Sequence, residues 1–240
     1  MSGTHSERAV DGRPVDAVFF DLFGTLLDLS ALVGECEAVA PGRGAELATR
    51  WRARQLETSW LRTMMDTFVD FDRVTDDALE TALAELGLEV PAPALRSLGS
   101  AFERLPVHRD APAVLGRLRT SGVRTGVLTN GSARTLAAVL GRTGLGGMID
   151  HALSVDAVRR YKPDPAVYGL AATETGLDPA RIGFVTANGW DAAGAAHVGF
   201  RVAWLRPEAS ARLPPVGAPA ALVATWESLV EVLLGEARRR

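Results

Sequence analysis

The sequence AVFFDLFGT, residues 17–25, determines how the rest of the chain can be interpreted. Four apolar residues lead directly into an acid, Asp21, and the chain then turns at Gly24 and Thr25. A short run of bulky apolar residues that ends in turn-forming residues is typical of a buried strand. We therefore predict a first strand over residues 18–23 that places the carboxylate of Asp21 at its carboxyl end.

Further apolar runs suggest more strands, and helical patterns with recognisable ends separate them. Ser132 is a good N-cap for one helix, which Gly144 would end, and Pro165 opens another that Gly176 would end. Strands this uniformly apolar suit a parallel sheet covered on both faces. The alternation predicts an α/β fold, with a doubly wound, Rossmann-like parallel sheet. The additional strands are predicted over residues 123–130, 181–187, 201–205 and 221–224.

Residues 29–108 interrupt this alternation with consecutive helical patterns. An insertion directly after the first strand stands over the carboxyl ends of the strands, where ligands bind in this architecture. We therefore predict a helical cap over residues 29–108 and a core formed by residues 15–28 and 109–240. Residues 1–14 have no apolar segment typical of a signal peptide, and we predict a disordered extension there.

The composition limits the classes of partner. Apolar residues make up 47% and charged residues 23% of 240 residues, and the formal net charge is −3. This is the composition of an ordinary globular protein, and it argues against nucleic acid as a partner. No apolar run is long enough to cross a membrane. A single cysteine, Cys36, cannot form an intramolecular disulfide, so we expect a reducing compartment, the cytoplasm.

Three further polar motifs occur, two at the ends of predicted strands and one just before the helix that Pro165 opens. Asp21 could act as a covalent nucleophile, and Thr129 and Asn130 could help to hold an anion. Taken alone, Lys162 would be interpreted as a surface lysine and Asp191 as a helix N-cap. The three motifs are LTNGS (128–132), YKPDPAVY (161–168) and FVTANGWDAAGA (184–195).

Taken together, in this order and spacing, the four motifs resemble the haloacid dehalogenase superfamily, from about residue 16 to the C-terminus. The resemblance is most specific for the L-2-haloacid dehalogenase branch. The first motif shares that branch's aspartate, aliphatic, aromatic, Gly-Thr pattern. WRARQLETSWLR (51–62) is similar to its arginine-bearing cap helix, and NGWD (188–191) is similar to its fourth motif.

Phe23 separates this branch from the phosphatases of the superfamily. Phosphatases carry a leaving-group acid at the position of Phe23, and usually a magnesium-binding acid at the position of Ala187. With only Asp191 retained in that motif, carboxylate oxygens are too few for a hard cation, so we predict no metal and no cofactor. Halide leaves as an anion and needs no proton. We therefore expect Asp21 to attack a saturated carbon.

The resemblance implies hydrolytic dehalogenation of small 2-haloalkanoic acids to 2-hydroxy acids through a covalent aspartyl ester. Asp21 would displace halide, Lys162 would orient it, and Asp191 with Asn188 would position or deprotonate the hydrolytic water. Thr25 would hydrogen-bond the nucleophile. The implied partners are a 2-haloacid, water and a second copy of the chain bound through the cap.

The remaining expected site residues contact substrate. Thr129 and the main-chain amides that follow Asp21 hold the substrate carboxylate, and Thr186 hydrogen-bonds the nucleophile. Arg52 and Asn130 accept the halide, Tyr168 reaches the site from a helix, and apolar residues wall the pocket. The full set is Leu22, Phe23, Arg52, Thr129, Asn130, Tyr168, Thr186 and Trp190.

Three alternatives remain at this point. A related hydrolase could open another C–X bond of a small carboxylate, such as an azetidine carboxylate, although a cyclic amine would need a proton to leave. Phe23 and Ala187 oppose a metal-dependent phosphatase. The intact set of Asp21, Lys162 and Asp191 opposes a catalytically silent binding protein. Ala53 and Thr58 differ from residues common in the branch, which leaves substrate identity open.

Overall fold

The computed structural model describes residues 15–205 and 221–234. The predicted extension over residues 1–14 and the Pro-rich segment over residues 206–219 lie outside the described residues.

Six parallel strands form one sheet in the order β3-β2-β1-β4-β5-β6. The chain moves outward from β1 to β3 and then returns to the other side of β1, so the strand order reverses between β1 and β4. Ligands bind at such a reversal, beyond the carboxyl ends of the strands. The predicted doubly wound sheet is confirmed. The strands are β1 (Ala17–Phe20), β2 (Arg124–Thr129), β3 (His151–Ser154), β4 (Ile182–Thr186), β5 (Arg201–Leu205) and β6 (Ala221–Ala224).

Two pairs of helices pack on this sheet, α6 with α10 and α8 with α9. All residues of β1, β4 and β5 are buried, as expected for strands covered on both faces. The Ser132 side chain accepts a hydrogen bond from the Thr135 amide, and Gly144, at φ 72°, ends that helix in the left-handed region, as predicted. The core helices are α6 (Ala111–Thr120), α7 (Ala133–Thr143), α8 (Pro165–Thr175), α9 (Gly189–His197) and α10 (Leu229–Leu234).

The predicted helical insertion after β1 is present. The helical pattern in the sequence begins clearly at residue 76, but α3 begins at Phe71, because the Asp70 side chain caps it by accepting a hydrogen bond from the Arg73 amide. The helical pattern over residues 94–105 is broken at Gly99 and Ser100, a pair of weak helix formers that commonly marks a kink. The inserted helices are α1 (Ala31–Val39), α2 (Gly44–Met64), α3 (Phe71–Leu86), α4 (Ala92–Gly99) and α5 (Ala101–Arg104).

Strand β3 was not predicted. It is an edge strand of the sheet, and three of its four residues are partly or fully exposed, so its sequence HALS lacks an apolar run. Strand β1 is also shorter than predicted. It ends at Phe20 because a turn follows, in which the Thr25 amide donates to the Leu22 carbonyl.

We retain as a proposal the division into a core of residues 15–28 and 109–240 and a cap of residues 29–108. The inserted helices α1 to α5 all fall within the proposed cap. Among the described residues, no helix has the length and apolarity needed to span a bilayer.

Gly126, in the middle of β2, gives a test of the packing at the centre of the sheet. A Cβ atom at this position would overlap the ring of Phe19 from the neighbouring strand β1. We predict that Gly126→Ala lowers the free energy of unfolding by about 1–3 kcal/mol, the usual cost of overpacking. Urea unfolding monitored by circular dichroism measures the change.

Gly169→Ala is the matched control, because this position lies inside α8 with open space around it. There we expect stabilisation by up to about 1 kcal/mol from helix propensity alone. Equal unfolding midpoints for Gly126→Ala and the wild type would contradict the described packing.

Candidate active site

The centre of the site is a buried lysine between two carboxylates. The Lys162 Nζ atom donates to Asp21 Oδ1 at 3.0 Å and to Asp191 Oδ2 at 3.0 Å. The side chains of Lys162 and Asp191 are completely buried, and that of Asp21 is 7% exposed. A buried charge is tolerated only when it is paired and hydrogen-bonded, and here each charge has a partner.

The second oxygen of Asp21 is also held. Asn188 Nδ2 donates to Asp21 Oδ2 at 2.7 Å, and Thr25 Oγ1 donates to the same oxygen at 3.4 Å. Asn188 Nδ2 also contacts the Phe23 carbonyl at 3.2 Å, and Thr25 Oγ1 accepts from the Ala187 amide at 3.0 Å. These bonds fix both the position and the plane of the Asp21 carboxylate.

Asp191 is held by Tyr168 as well as by Lys162. The Tyr168 hydroxyl donates to Asp191 Oδ1 at 2.7 Å. Burial raises the pKa of Asp191 and the nearby charge of Asp21 adds to this, while the contacts with Lys162 and Tyr168 lower it in part. Burial, followed by the charge of Asp191, raises the pKa of Tyr168 well above its ordinary value, so Tyr168 remains a hydrogen-bond donor.

A glycine makes the Tyr168 contact possible. A Cβ atom at Gly194, inside α9, would overlap the Tyr168 hydroxyl and would also lie against Pro163. Because Gly194 has no side chain, the Tyr168 ring can pack against α9 and its hydroxyl can reach Asp191. The sequence shows a glycine inside a helical pattern here, which signals a close approach but does not identify the partner.

Arg52 extends from the cap helix α2 toward these carboxylates. Its Nη1 atom donates to Gln55 Oε1 at 2.5 Å, and Gln55 is fully buried, with Nε2 bonded to Thr75 Oγ1 at 2.5 Å. Burial lowers the pKa of Arg52 to about 10, and the charges of Asp21 and Asp191 offset part of this effect. Arg52 is therefore a cation at neutral pH. Gln55 orients its guanidinium, a contact that the sequence did not reveal.

Phe23 belongs to an aromatic cluster between the core and the cap. Its ring stacks on Phe71 with centroids 6.2 Å apart, and it meets Phe102 edge-on at 5.3 Å. Phe23 is 3% exposed, which fits the apolar wall expected beside Asp21. Phe71 and Phe102 are wall residues that the sequence did not reveal, because nothing local distinguishes them from core residues of the cap helices.

Two backbone donors and one loop are placed to receive an anion. Among the described residues, no acceptor contacts the amides of Leu22 and Phe23, directly after the nucleophile. The Asn130 Oδ1 atom accepts from the Lys162 amide at 2.9 Å, and Thr129 Oγ1 accepts from the Gly131 amide at 3.0 Å. Asn130 is therefore anchored by its oxygen, so its amide nitrogen faces the other way.

One predicted residue, Thr186, contacts a different partner from the one expected. Across the part of the chain that the structure describes, the only partner of the Thr186 hydroxyl is the Asn188 amide, at 3.0 Å. Thr186 thus orders the turn that carries Asn188, and the predicted bond to Asp21 is wrong. Trp190 packs edge-on against Trp60 of α2, with centroids 5.7 Å apart, so it contacts the cap.

The structure joins most of the predicted site residues in one hydrogen-bond network, and charge links Arg52 to it. Among the residues described, no group of three or more His, Cys, Asp or Glu side chains is placed to hold a metal ion. Both carboxylates instead contact the ammonium group. The network contains Asp21, Thr25, Asn130, Lys162, Tyr168, Thr186, Asn188 and Asp191.

A carboxylate directly beyond β1, a buried lysine that follows β3 and an acid on α9, beneath a helical insertion, define a class of hydrolase. The chain belongs to the haloacid dehalogenase-like hydrolase family, whose sequence pattern matches residues 15–199.

The chain is 42% identical over 191 residues to the (S)-2-haloacid dehalogenase of Pseudomonas sp. (strain YL). The matched region covers 80% of this chain and 82% of that protein. The structure of L-2-haloacid dehalogenase from Xanthobacter autotrophicus is similar, with a TM-score of 0.83, 33% identity, and coverage of 91% of this chain and 98% of that one. Another structure of that enzyme, with chloropropionic acid covalently bound, has the same TM-score of 0.83 at 32% identity, and covers 91% of this chain and 98% of that one.

Tyr168→Phe tests the electrostatics of Asp191. The variant removes a hydrogen bond that lowers the pKa of Asp191, so that pKa should rise. If the reaction requires ionised Asp191, the acid limb of the pH profile of kcat should move to higher pH, with activity retained on the alkaline side. A steady-state pH profile measures this shift, and an unchanged acid limb would show that Asp191 does not control it.

Proposed function

We propose that the protein hydrolyses small 2-haloalkanoic acids to 2-hydroxy acids and halide through a covalent ester at Asp21. The observation that carries the proposal is the Asp21 carboxylate, held at Oδ1 by Lys162 and at Oδ2 by Asn188 and Thr25. The dehalogenase relatives, one of them with a covalently bound acid, support the same chemistry.

In the first step, an oxygen of Asp21 attacks Cα of the substrate, and halide departs with the electron pair of the carbon–halogen bond. The carbon becomes esterified to Asp21. No proton is transferred, which suits the presence of Phe23 where a proton donor would otherwise stand. The aromatic cluster around Phe23 keeps water away from the nucleophile, and a partly desolvated carboxylate is a stronger nucleophile.

In the second step, water attacks the carbonyl carbon of the Asp21 ester. Asp191 takes a proton from this water, and its burial, which raises its pKa, makes it a better base than an exposed carboxylate. The ester bond breaks at the carbonyl carbon, the leaving alkoxide takes the proton back from Asp191, the second proton of the water is released to solvent, and the 2-hydroxy acid departs. Asp21 is regenerated with one oxygen from water, and Lys162 stabilises it again.

Binding of the substrate carboxylate is assigned to the amides of Leu22 and Phe23 and to the Thr129 hydroxyl. The two amides are free of protein acceptors among the described residues, and they follow the nucleophile directly. The departing halide is assigned to Arg52 and to the amide nitrogen of Asn130. Arg52 is oriented by Gln55, so its guanidinium is fixed before charge develops on the halide.

We also propose, on the family resemblance, a homodimer formed through the cap. The exposed end of α2 supports it, since Met64 is 73% and Met65 is 61% exposed and Leu61 lies beside them. Sedimentation velocity should show a dimer, and a species of monomer mass at all concentrations would exclude it.

Halide release with and without chelator tests the proposed reaction. We expect halide and 2-hydroxy acid to form in equal amounts from 2-chloropropionate or 2-bromopropionate, with undiminished rates in excess EDTA, because Lys162 supplies the positive charge beside Asp21. Ion chromatography measures halide. Activity that disappears with EDTA and returns with magnesium, together with phosphate release from phosphate esters, would support a phosphatase. Turnover of azetidine carboxylate without halide release from any haloacid would support the C–N alternative.

Arg52→Lys tests the assignment of the halide site. Lysine keeps the charge but loses the planar donors, one of which is bound to Gln55. We predict that ester formation slows roughly 100-fold, as for the loss of one preorganised donor, with a smaller change in substrate affinity. Hydrolysis of the preformed ester should be nearly unaffected because halide is absent from that step. Pre-steady-state kinetics resolves the two steps, and equal slowing of both would mean that Arg52 only supports the cap.

A further inference from the structure

The first turn of the cap helix α3 touches three of the four segments that form the site. The Phe71 ring packs on Phe23, two residues after the nucleophile, and on Tyr161, the residue before Lys162, at a centroid distance of 5.7 Å. The next residue, Asp72, reaches the start of α7, directly after the loop of Thr129 and its neighbours.

Asp72 makes three bonds across the boundary between cap and core. Its Oδ2 atom accepts from Ser132 Oγ at 2.8 Å and from Arg134 Nη2 at 3.0 Å, and its Oδ1 atom accepts from Thr135 Oγ1 at 2.8 Å. Ser132 and Thr135 are each 3% exposed, whereas the Arg134 side chain is 69% exposed. The bonds from the Ser132 and Thr135 hydroxyls therefore hold Asp72 more strongly than the Arg134 ion pair, since exposed ion pairs contribute little free energy.

These bonds control how α7 begins. Ser132 is the N-cap of α7, and its Oγ atom accepts from the Thr135 amide at 3.0 Å. Because the Ser132 hydroxyl proton goes to Asp72, its lone pairs are oriented toward the helix. Asp72 also lies in the first turn of α3, so its negative charge is near the positive ends of two helices, α3 and α7.

The start of α7 is continuous with the loop assigned to substrate. Gly131 leaves room for the Phe23 ring on one side and lies against Thr129 Oγ1. Its carbonyl accepts from Ser154 Oγ at 2.7 Å. The loop is thus held by the core at Ser154 and by the cap at Asp72. Loss of Asp72 would free the loop at Ser132, which is two residues from Asn130 and three from Thr129.

We propose that Asp72 is a positioning residue, which holds the Thr129–Ser132 loop in its substrate-binding conformation when the cap lies on the core. The proposal rests on the proposed function, because the ligand of the loop is the substrate carboxylate. That carboxylate keeps its charge throughout the reaction, so its binding is equally strong in the ground state and the transition state. Loss of such uniform binding raises KM and leaves kcat nearly constant.

The test compares Asp72→Ala, Asp72→Asn and Thr135→Val in halide release from 2-chloropropionate. For Asp72→Ala we expect KM to rise about tenfold or more, as for the loss of a charge-assisted hydrogen bond, with kcat within about threefold. Asp72→Asn keeps hydrogen-bonding capacity toward the hydroxyls and loses the charge, and it should restore KM to within about threefold of wild type. Thr135→Val removes one donor at constant volume and should raise KM in the same direction, so it carries the test if Asp72→Ala does not fold.

Glu85→Ala is the matched control, because Glu85 also lies on α3 and forms ion pairs, with Arg50 and Arg54, that stay within the cap. Its kinetic constants should equal those of wild type. A wild-type KM in Asp72→Ala would overturn the proposal, and Thr135→Val decides in the same way if Asp72→Ala does not fold. A fall in kcat as large as the rise in KM, which Asp72→Asn does not reverse, would also overturn it. A wild-type protein that releases no halide would instead overturn the proposed function.

Discussion

The ion pairs of Lys162 with Asp21 and Asp191 are the contact on which the rest of the site depends. The ammonium group is buried, and both of its carboxylate partners come from other segments of the chain. Removing one partner of a buried pair leaves an uncompensated charge, at a cost of about 3–5 kcal/mol. The carboxyl end of β1, the loop after β3 and the start of α9 must therefore assemble together.

The cap supplies what the core lacks. The core provides the carboxylates of Asp21 and Asp191, but the guanidinium of Arg52, held by Gln55, and the rings that cover Phe23 come from inserted helices. A dry, preorganised set of donors acts on developing charge far more strongly than water can. A carboxylate with an aromatic ring where a leaving-group acid would stand, close to the cation of Arg52, is suited to the departure of an anion.

Local signals in the sequence were sufficient to predict most helices and strands, but not the contacts between them. Apolar runs, the Ser132 cap and the glycine stops predicted most of the sheet and its helices, while the edge strand β3 lacked an apolar run because it is partly exposed. The resemblance identified the nucleophile network. Phe71 and Asp72 have no local signature, because each acts through a partner from a distant part of the chain. Gln55 lies three residues from Arg52, but the Thr75 contact that holds it is 20 residues away in sequence.

Isotopic labelling of Asp21 tests the covalent mechanism most directly. A single turnover of wild-type protein with limiting 2-chloropropionate in H₂¹⁸O, followed by proteolysis and mass spectrometry, locates the first oxygen taken from water. The mechanism predicts label in the carboxylate of Asp21 and unlabelled 2-hydroxy acid from that turnover. Label found in the product alone would mean that water attacks the substrate directly, and would contradict the aspartyl ester.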